Sequence, residues 1–282
     1  MGAPGSARAT HSKTALYNGP MSILTHGSDL RLAPTIRPLV TTGDGTVRGA
    51  LTKLTSLGFQ ALQLDATLPG VRPRELSQRA RKDLLALFAR QGLQLAGLDL
   101  FLPRQHFTEA SHIDRAMSAA LAAIELAADL GRVPVSLALP LGEVKDEIKS
   151  TLIEAADGRG IQLAVHAEDE LDALATWLDA LELRALGAGI DPAALLARGE
   201  KAVRTTQRFA KRLTVARLSD LTSGALRCAV GEGELDIEAY RITLDLAGGR
   251  SGPVVLDLRG LESPATAAAT GKAAWDKAAF TM

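Results

Sequence analysis

The chain has 282 residues, with 32 basic and 32 acidic side chains, 46% hydrophobic residues and one cysteine. The net charge is zero, so the chain lacks the positive electrostatic potential that proteins binding nucleic acids or anionic membranes display. Neither partner is therefore expected. The lone Cys228 can form no internal disulfide, and the sequence contains neither the apolar segment of a signal peptide nor an apolar run long enough to span a bilayer. We therefore predict a cytoplasmic protein that acts on a small molecule.

The first part of the chain differs in composition from the rest. Residues 1–30 are rich in Gly, Ser, Thr and His without periodicity, which predicts a poorly ordered leader. Translation that begins at Met21 is an open alternative. Residues 31–282 are predicted to form a single domain.

From Arg31 onward, short apolar runs alternate with longer amphipathic stretches, which is typical of βα units around a parallel sheet. The predicted strands are Leu32–Ile36, Ala61–Asp65, Leu93–Leu100, Val133–Leu139, Ile161–His166, Ala185–Asp191, Leu213–Leu218 and Pro253–Leu258. The predicted helices are Thr46–Leu57, Arg74–Arg90, Ser111–Leu130, Glu143–Ala156, Glu170–Leu181, Ala193–Arg212, Ile237–Leu246 and Pro264–Phe280. Eight such units in about 250 residues favour an α/β fold of the closed (β/α)₈ TIM barrel type, and the glycine fingerprint of a dinucleotide-binding sheet is missing.

Polar side chains occur where four consecutive predicted strands end. The fifth strand ends in His166, the sixth in Asp191, the seventh near Arg217 and the eighth near Asp257. Active sites of such barrels lie at the carboxyl ends of the strands, so we predict that these four side chains form one ring with catalytic roles.

Structural explanations remain open for several of these residues. Asp191 followed by Pro192 is also typical of a helix start, with a capping carboxylate and proline in the first turn. Glu168 lies at another predicted helix start, where anions are favoured whatever the function. Asp257 and Arg259 lie on one face of their strand and can form a simple ion pair.

Five segments occur in the order and spacing of a known family: 57–64 (LGFQALQL), 160–165 (GIQLAV), 186–192 (LGAGIDP), 230–236 (VGEGELD) and 252–256 (GPVVL). Through them the chain resembles the xylose isomerase-like barrels, which include sugar-phosphate isomerases and epimerases. The resemblance implies a divalent metal held by Glu on strand 5, Asp or His on strand 6, His on strand 7 and Glu on strand 8.

The positions that correspond to those ligands depart from the family pattern. They are His166, Asp191, Arg217 and Asp257, and Gln63 stands where the family often has Glu on strand 2. Arginine stays protonated and offers a metal no lone pair. We therefore expect an altered or lost metal site in which Arg217 bridges Asp191 and Asp257 in place of the ion. If Arg217 points away, His166 and the two carboxylates can still form an open metal site.

Two functions remain open. The resemblance implies an isomerase or epimerase that moves a proton next to a carbonyl of a small polyhydroxylated substrate. Residue types and predicted strand ends suggest a metal-free version of this reaction, with Asp191 or Asp257 as base, Arg217 as electrophile and His166 as proton shuttle. The residues expected to contact the substrate are Arg259, Asp220, Glu168 and His106. The alternative is a catalytically inactive barrel that binds a small polyol or a protein partner. A homodimer is compatible with either function.

Overall fold

The computed structural model describes residues 1–2, 30–181, 184–247 and 252–280. The predicted leader lies almost entirely outside these residues. The strands are β1 Leu32–Pro34, β2 Ala61–Asp65, β3 Gln94–Leu100, β4 Val135–Ala138, β5 Leu163–His166, β6 Leu186–Ile190, β7 Leu213–Leu218, β8 Asp220–Leu221, β9 Arg227–Cys228 and β10 Val254–Leu256. The helices are α1 Ile36–Thr42, α2 Val47–Ser56, α3 Gln78–Arg90, α4 Ile113–Asp129, α5 Asp146–Arg159, α6 Leu171–Leu181, α7 Pro192–Leu196, α8 Ala202–Phe209, α9 Ile237–Leu246 and α10 Pro264–Phe280.

Eight parallel strands form the sheet, in the order β1-β10-β7-β6-β5-β4-β3-β2. The two ends of this order meet through a parallel bridge between Thr35 and Gln63, so the sheet nearly closes on itself. Helices connect the strands and cover the outside, which confirms the predicted (β/α)₈ barrel. Two further strands, β8 and β9, pair antiparallel as a short hairpin after β7.

Side chains of nonadjacent strands touch inside the barrel. Ala164 on β5, Val215 on β7 and Val255 on β10 form one buried cluster. Because β5 neighbours neither β7 nor β10 in the sheet order, these side chains meet in the barrel interior. Because side chains alternate along a strand, residues two positions further on point to the same interior. His166, Arg217 and Asp257 stand in that relation to the three apolar residues, so the pleat turns them inward at the carboxyl end.

The predicted strands agree closely with those observed, and β2 and β7 agree to the residue. The single predicted helix Ala193–Arg212 is wrong, because the chain forms α7 and α8 with a break between them. Gly199 lies in that break with a φ of +74°, a left-handed conformation that interrupts a helix and that glycine adopts readily. Helix α1 and the β8–β9 hairpin are additions that the sequence pattern did not predict.

Boundary residues explain where several elements end. Helix α5 ends at Gly160, which is in the left-handed conformation with a φ of +65°. Helix α7 begins after Asp191, whose carboxylate accepts a hydrogen bond from the Ala193 amide, with Pro192 in the first turn. Among the described residues, the helices are too short or too polar to cross a membrane.

Candidate functional site

Six charged side chains meet at the carboxyl end of the barrel, and we call them the charged ring. Three are carboxylates and three are guanidinium groups, so their formal charges cancel. They come from β3, from the ends of β6 and β10, from β7 and from the β8–β9 hairpin. The members of the charged ring are Asp99, Asp191, Arg217, Arg227, Asp257 and Arg259.

Arg217 lies at the centre of the charged ring. Its Nη2 donates a hydrogen bond of 2.8 Å to Oδ1 of Asp99. Its Nη1 lies 3.6 Å from Oδ2 of Asp191 and 3.6 Å from Oδ2 of Asp257. The predicted bridge from Arg217 to the two carboxylates is therefore present in the structure, and Asp99 adds a third, shorter contact.

The other two guanidinium groups approach the same carboxylates from the mouth of the barrel. Arg227 Nη1 lies 3.4 Å from Oδ2 of Asp191, and its Nη2 lies 3.2 Å from Oδ2 of Asp257. Arg259 donates from Nε to Oδ1 of Asp257 at 2.8 Å and from Nη1 to Oδ2 of Asp99 at 3.0 Å, and its Nη2 pairs with Oδ2 of Asp257. One oxygen of Asp257 is thus contacted by three guanidinium groups.

These contacts hold Asp191 and Asp257 in their charged form. Burial acts to raise the pKa of Asp257, but Arg259, Arg227 and Arg217 outweigh it and bring the pKa well below its ordinary value. For Asp191, burial and the neighbouring Asp257 raise the pKa, but the lowering effect of Arg227 and Arg217 is larger, so the pKa is below its ordinary value. A carboxylate whose pKa is lowered is a poor proton acceptor near neutral pH, so the ring does not favour either aspartate as the general base.

His166 and Glu168 form a second arrangement beside the charged ring. His166 Nδ1 lies 3.0 Å from Oε1 of Glu168, and the same oxygen accepts a 2.8 Å hydrogen bond from the backbone amide of Asp191. Nε2 of the buried His166 has no hydrogen-bond partner among the described residues. An acceptor at Nδ1 favours the tautomer with the proton on Nδ1, which leaves Nε2 unprotonated.

Gly189 makes room for this imidazole. A Cβ atom at Gly189 would lie 2.3 Å from Nε2 of His166, so only glycine permits the ring to occupy its place. The imidazole therefore packs directly against the backbone of β6.

The metal site implied by the family does not fit these residues. The positions between Asp191 and Asp257 are taken by Nη groups of Arg217 and Arg227, at 3.2–3.6 Å from the carboxylate oxygens. A fixed guanidinium there opposes a second cation. In the part of the chain that the structure describes, His166, Asp191 and Asp257 also fail to gather three ligand atoms within 4.8 Å of one another. Arg217 points inward toward Asp191 and Asp257, whereas the open site predicted from the sequence required it to point away.

Asp191 combines the two roles that its sequence left open. It caps α7 through the Ala193 amide at 3.2 Å, and its Oδ1 also accepts a 2.5 Å hydrogen bond from the hydroxyl of Ser219. Its other oxygen, Oδ2, faces Arg217 and Arg227. Capping and ring membership are therefore compatible within one carboxylate.

Asp220, predicted to contact the substrate, lies apart from the ring and is almost fully buried. Its two oxygens accept hydrogen bonds from four backbone amides, those of Leu221, Gly231, Gly233 and Leu235. This uses the acceptor capacity of a carboxylate, so the structure gives Asp220 the role of organising the loop before α9.

The remaining predicted residues divide between the mouth and its rim. Arg259 and Glu168 lie at the mouth, where the guanidinium of Arg259 stacks over the exposed ring of Phe101 at 4.6 Å. His106 lies in the segment Arg104–Phe107 after β3 and contacts His112, with 4.4 Å between ring centroids. No ion pair or hydrogen bond in the described structure joins His106 to the charged ring.

Two ring members were missed by the sequence reasoning. Asp99 is the one charged residue of strand β3, in its buried part and one position before its end, and this was a usable signal. Arg227 lies on β9, which has only two residues, so no periodic pattern marked it.

Comparison with known proteins identifies relatives of this barrel. Residues 51–278 match the family model described as xylose isomerase-like TIM barrel. A xylose isomerase domain protein from Planctomyces limnophilus has a TM-score of 0.72 and 16% identity, over 90% of this chain and 98% of its own. A D-tagatose 3-epimerase-like protein has a TM-score of 0.70 and 14% identity, over 89% and 99%. An L-ribulose 3-epimerase has a TM-score of 0.67 and 14% identity, over 90% and 96%. No curated protein matches the sequence.

Proposed function

The chain belongs to the xylose isomerase-like TIM barrel family, and on that premise we propose that it binds a small polyhydroxylated carbonyl compound and moves a proton next to the carbonyl without a metal ion. The observation that carries the proposal is His166, whose Nδ1 is held by Glu168 while its buried Nε2 has no partner among the described residues. The solved structures named as an epimerase-like protein and as an L-ribulose 3-epimerase support the choice of substrate class.

His166 is the base in this proposal. Glu168 keeps the Nδ1 proton in place, so Nε2 accepts a proton from the carbon next to the carbonyl and returns it to the enediolate. Asp191 and Asp257 have lowered pKa values and remain charged, which suits them to hold the guanidinium groups. This assignment reverses the roles that the sequence suggested for the histidine and the aspartates.

The guanidinium groups stabilise the negative oxygen of the enediolate. A fixed cation beside a developing oxyanion replaces the electrostatic part of what a metal ion supplies elsewhere in such chemistry. Arg227 and Arg259 are suited to this contact, because their side chains are partly exposed at the mouth, at 27% and 16%, whereas that of Arg217 is buried.

Buried polar atoms without partners supply further contacts for hydroxyl groups. Both amide atoms of Gln63 and the hydroxyl of Ser136 are buried and have no hydrogen-bond partner among the described residues. Ser136 pairs in register with Asp99 on one side and Ala164 on the other, so it shares the inward face. Buried polar groups are normally hydrogen-bonded, and the hydroxyl groups of a polyol match their chemistry.

A groove of about 1130 Å³ lies beside Glu168 and extends to α8. Its lining mixes both signs of charge, with acidic residues at 168–170, 172 and 200 and basic residues at 198, 201, 204 and 208. A groove lined with so many charged side chains suits a polar, polyhydroxylated molecule.

The proposal is tested by proton exchange in deuterated water. The protein is incubated with ketoses, aldoses and their phosphate esters, and proton NMR records loss of the signal from the carbon next to the carbonyl. Exchange is expected with at least one compound, and His166→Asn is expected to slow it about 100-fold or more, as removal of a general base does. His106→Asn, a histidine outside the charged ring, is the matched control.

A second candidate function is binding without chemistry, which the complete ion pairing of the ring carboxylates favours. Under this alternative, a sugar or polyol raises the melting temperature of the protein while no exchange occurs. Exchange that His166→Asn leaves unchanged would count against the proposed base, and thermal stabilisation without exchange would favour the inactive barrel.

A further inference from the structure

We infer that the loop after β3 contains a binding site for a transition-metal ion, formed by His106, Glu109 and His112. The three residues each offer one ligand atom, and these atoms lie within 4.8 Å of one another. Among the described residues no other group of three such side chains meets this condition. The site lies outside the charged ring, and its inference does not depend on the proposed function.

The loop brings the three side chains together through its own backbone. Glu109 donates its amide to the carbonyl of Gln105, and the amide of His112 donates to the carbonyl of Glu109 at 2.9 Å. These consecutive turns place residues 106, 109 and 112 on one side of the segment. Nε2 of His112 lies 3.5 Å from Oε2 of Glu109, and the two imidazole rings are 4.4 Å apart.

The donor set decides which metals the site would accept. Two imidazoles and one carboxylate suit Zn²⁺, Ni²⁺ and Cu²⁺, whereas Mg²⁺ and Ca²⁺ prefer oxygen ligands throughout. Three protein ligands leave at least one coordination position for water or another molecule. The three side chains are half-buried or exposed, so an ion can enter from solvent.

Arg115 competes with a bound cation. Its Nη2 lies 2.7 Å from Nδ1 of His112, so the guanidinium favours the tautomer with the proton on Nε2, the nitrogen that faces Glu109. A metal ion at Nε2 displaces that proton, and Arg115 must then give up its acceptor. Arg115 is on the exposed side of α4 and is free to rotate into solvent when this happens.

The test is calorimetric titration of the full chain with Zn²⁺. We expect one ion per chain, and His106→Asn and His112→Asn are each expected to weaken binding about tenfold or more, because each removes a direct ligand. Arg115→Gln is expected to tighten binding, since it removes the competing cation. Circular dichroism of the metal-free variants shows whether each is folded.

Asp191→Asn separates this site from the charged ring. Zn²⁺ binding that persists in Asp191→Asn and is lost in His112→Asn supports the inference. Binding that is lost in Asp191→Asn and unchanged in the two histidine variants overturns it, as does an absence of Zn²⁺ binding to the folded wild-type protein. A spectrum of bound Cu²⁺ that shows two nitrogen ligands in the wild type and one in His106→Asn provides independent support.

Discussion

The charge balance of the ring predicts that Asp257→Asn strongly destabilises the protein. One oxygen of Asp257 faces Arg217 at 3.6 Å, Arg227 at 3.2 Å and Arg259, and its side chain has no exposed surface. Asparagine has nearly the same shape but no charge, so the substitution leaves three guanidinium groups opposite two carboxylates. The unbalanced positive charge is largely buried, and water reaches only the partly exposed Arg227 and Arg259 and compensates it incompletely.

The size of the effect follows from the cost of breaking a buried ion pair. Removal of one partner costs about 3–5 kcal/mol because the other charge remains buried. In a domain of this size that corresponds to a decrease in melting temperature of about 6–20 °C. The measurement is the free energy of unfolding from urea denaturation at pH 7, checked by the melting temperature.

Two variants make the interpretation of Asp257→Asn specific. Asp276→Asn removes a partner from the half-exposed pair with Lys272 at 2.6 Å and is expected to cost about 1 kcal/mol or less. Asp257→Asn combined with Arg227→Gln removes one charge of each sign and is expected to be more stable than Asp257→Asn alone. If Asp257→Asn costs no more than Asp276→Asn, the reasoning about the ring is refuted.

The pH dependence of this difference has a definite sign. The pKa of Asp257 in the folded protein is below its ordinary value of 3.8, so the carboxylate contributes stability above that value and loses it as the pH falls toward the folded-state pKa. The free energy of unfolding should therefore differ between wild type and Asp257→Asn by a constant amount from pH 7 to about pH 5. The difference should shrink below about pH 3.8, and a difference that grows on acidification would contradict the assignment.

Three further predictions concern glycine positions and the metal. Gly189→Ala should displace the imidazole of His166 and lower proton exchange about as much as His166→Asn, because its Cβ would lie 2.3 Å from Nε2; normal exchange in this variant would exclude a fixed imidazole. In Gly233→Ala the new Cβ would lie 2.4 Å from the carboxylate of Asp220, so the free energy of unfolding from urea denaturation should fall by about 1–3 kcal/mol. Gly224→Ala, where the Cβ meets no close atom, should change it little. Mg²⁺ at millimolar concentration should leave the melting temperature unchanged. A rise in melting temperature that Asp191→Asn abolishes would instead indicate a metal site in the charged ring.

Agreement between sequence and structure is greatest where the pattern is local. The alternation of apolar runs and amphipathic stretches gave the barrel strands to within about two residues, because a buried strand and a half-buried helix have different periods. The break between α7 and α8 was missed because the two helices were read as one amphipathic stretch, although Gly199, a residue type that commonly ends helices, lies in the break with a left-handed φ.

Agreement at the site depends on whether a residue belongs to the barrel strands. His166, Asp191, Arg217 and Asp257 were found because strand ends converge in any barrel of this type. Arg227 reaches the same place from a hairpin whose partner strands have two residues each. A segment that short has no hydrophobic period, so the sequence pattern did not predict that the side chain of Arg227 reaches the mouth of the barrel.

The sequence by itself determined the barrel and its strand ends, since these depend on residue type and spacing, and the resemblance to the family placed an arginine where a metal ligand is expected. Only the tertiary structure decided that Asp99, Arg227 and Arg259 complete a neutral ring. It also showed that the carboxylate of Asp220 accepts hydrogen bonds from backbone amides, and that His106 lies beside Glu109 and His112. Pairing between side chains of opposite charge depends on distances of a few ångströms between residues far apart in the chain. Such distances are fixed by packing, and the sequence pattern carries no measure of them.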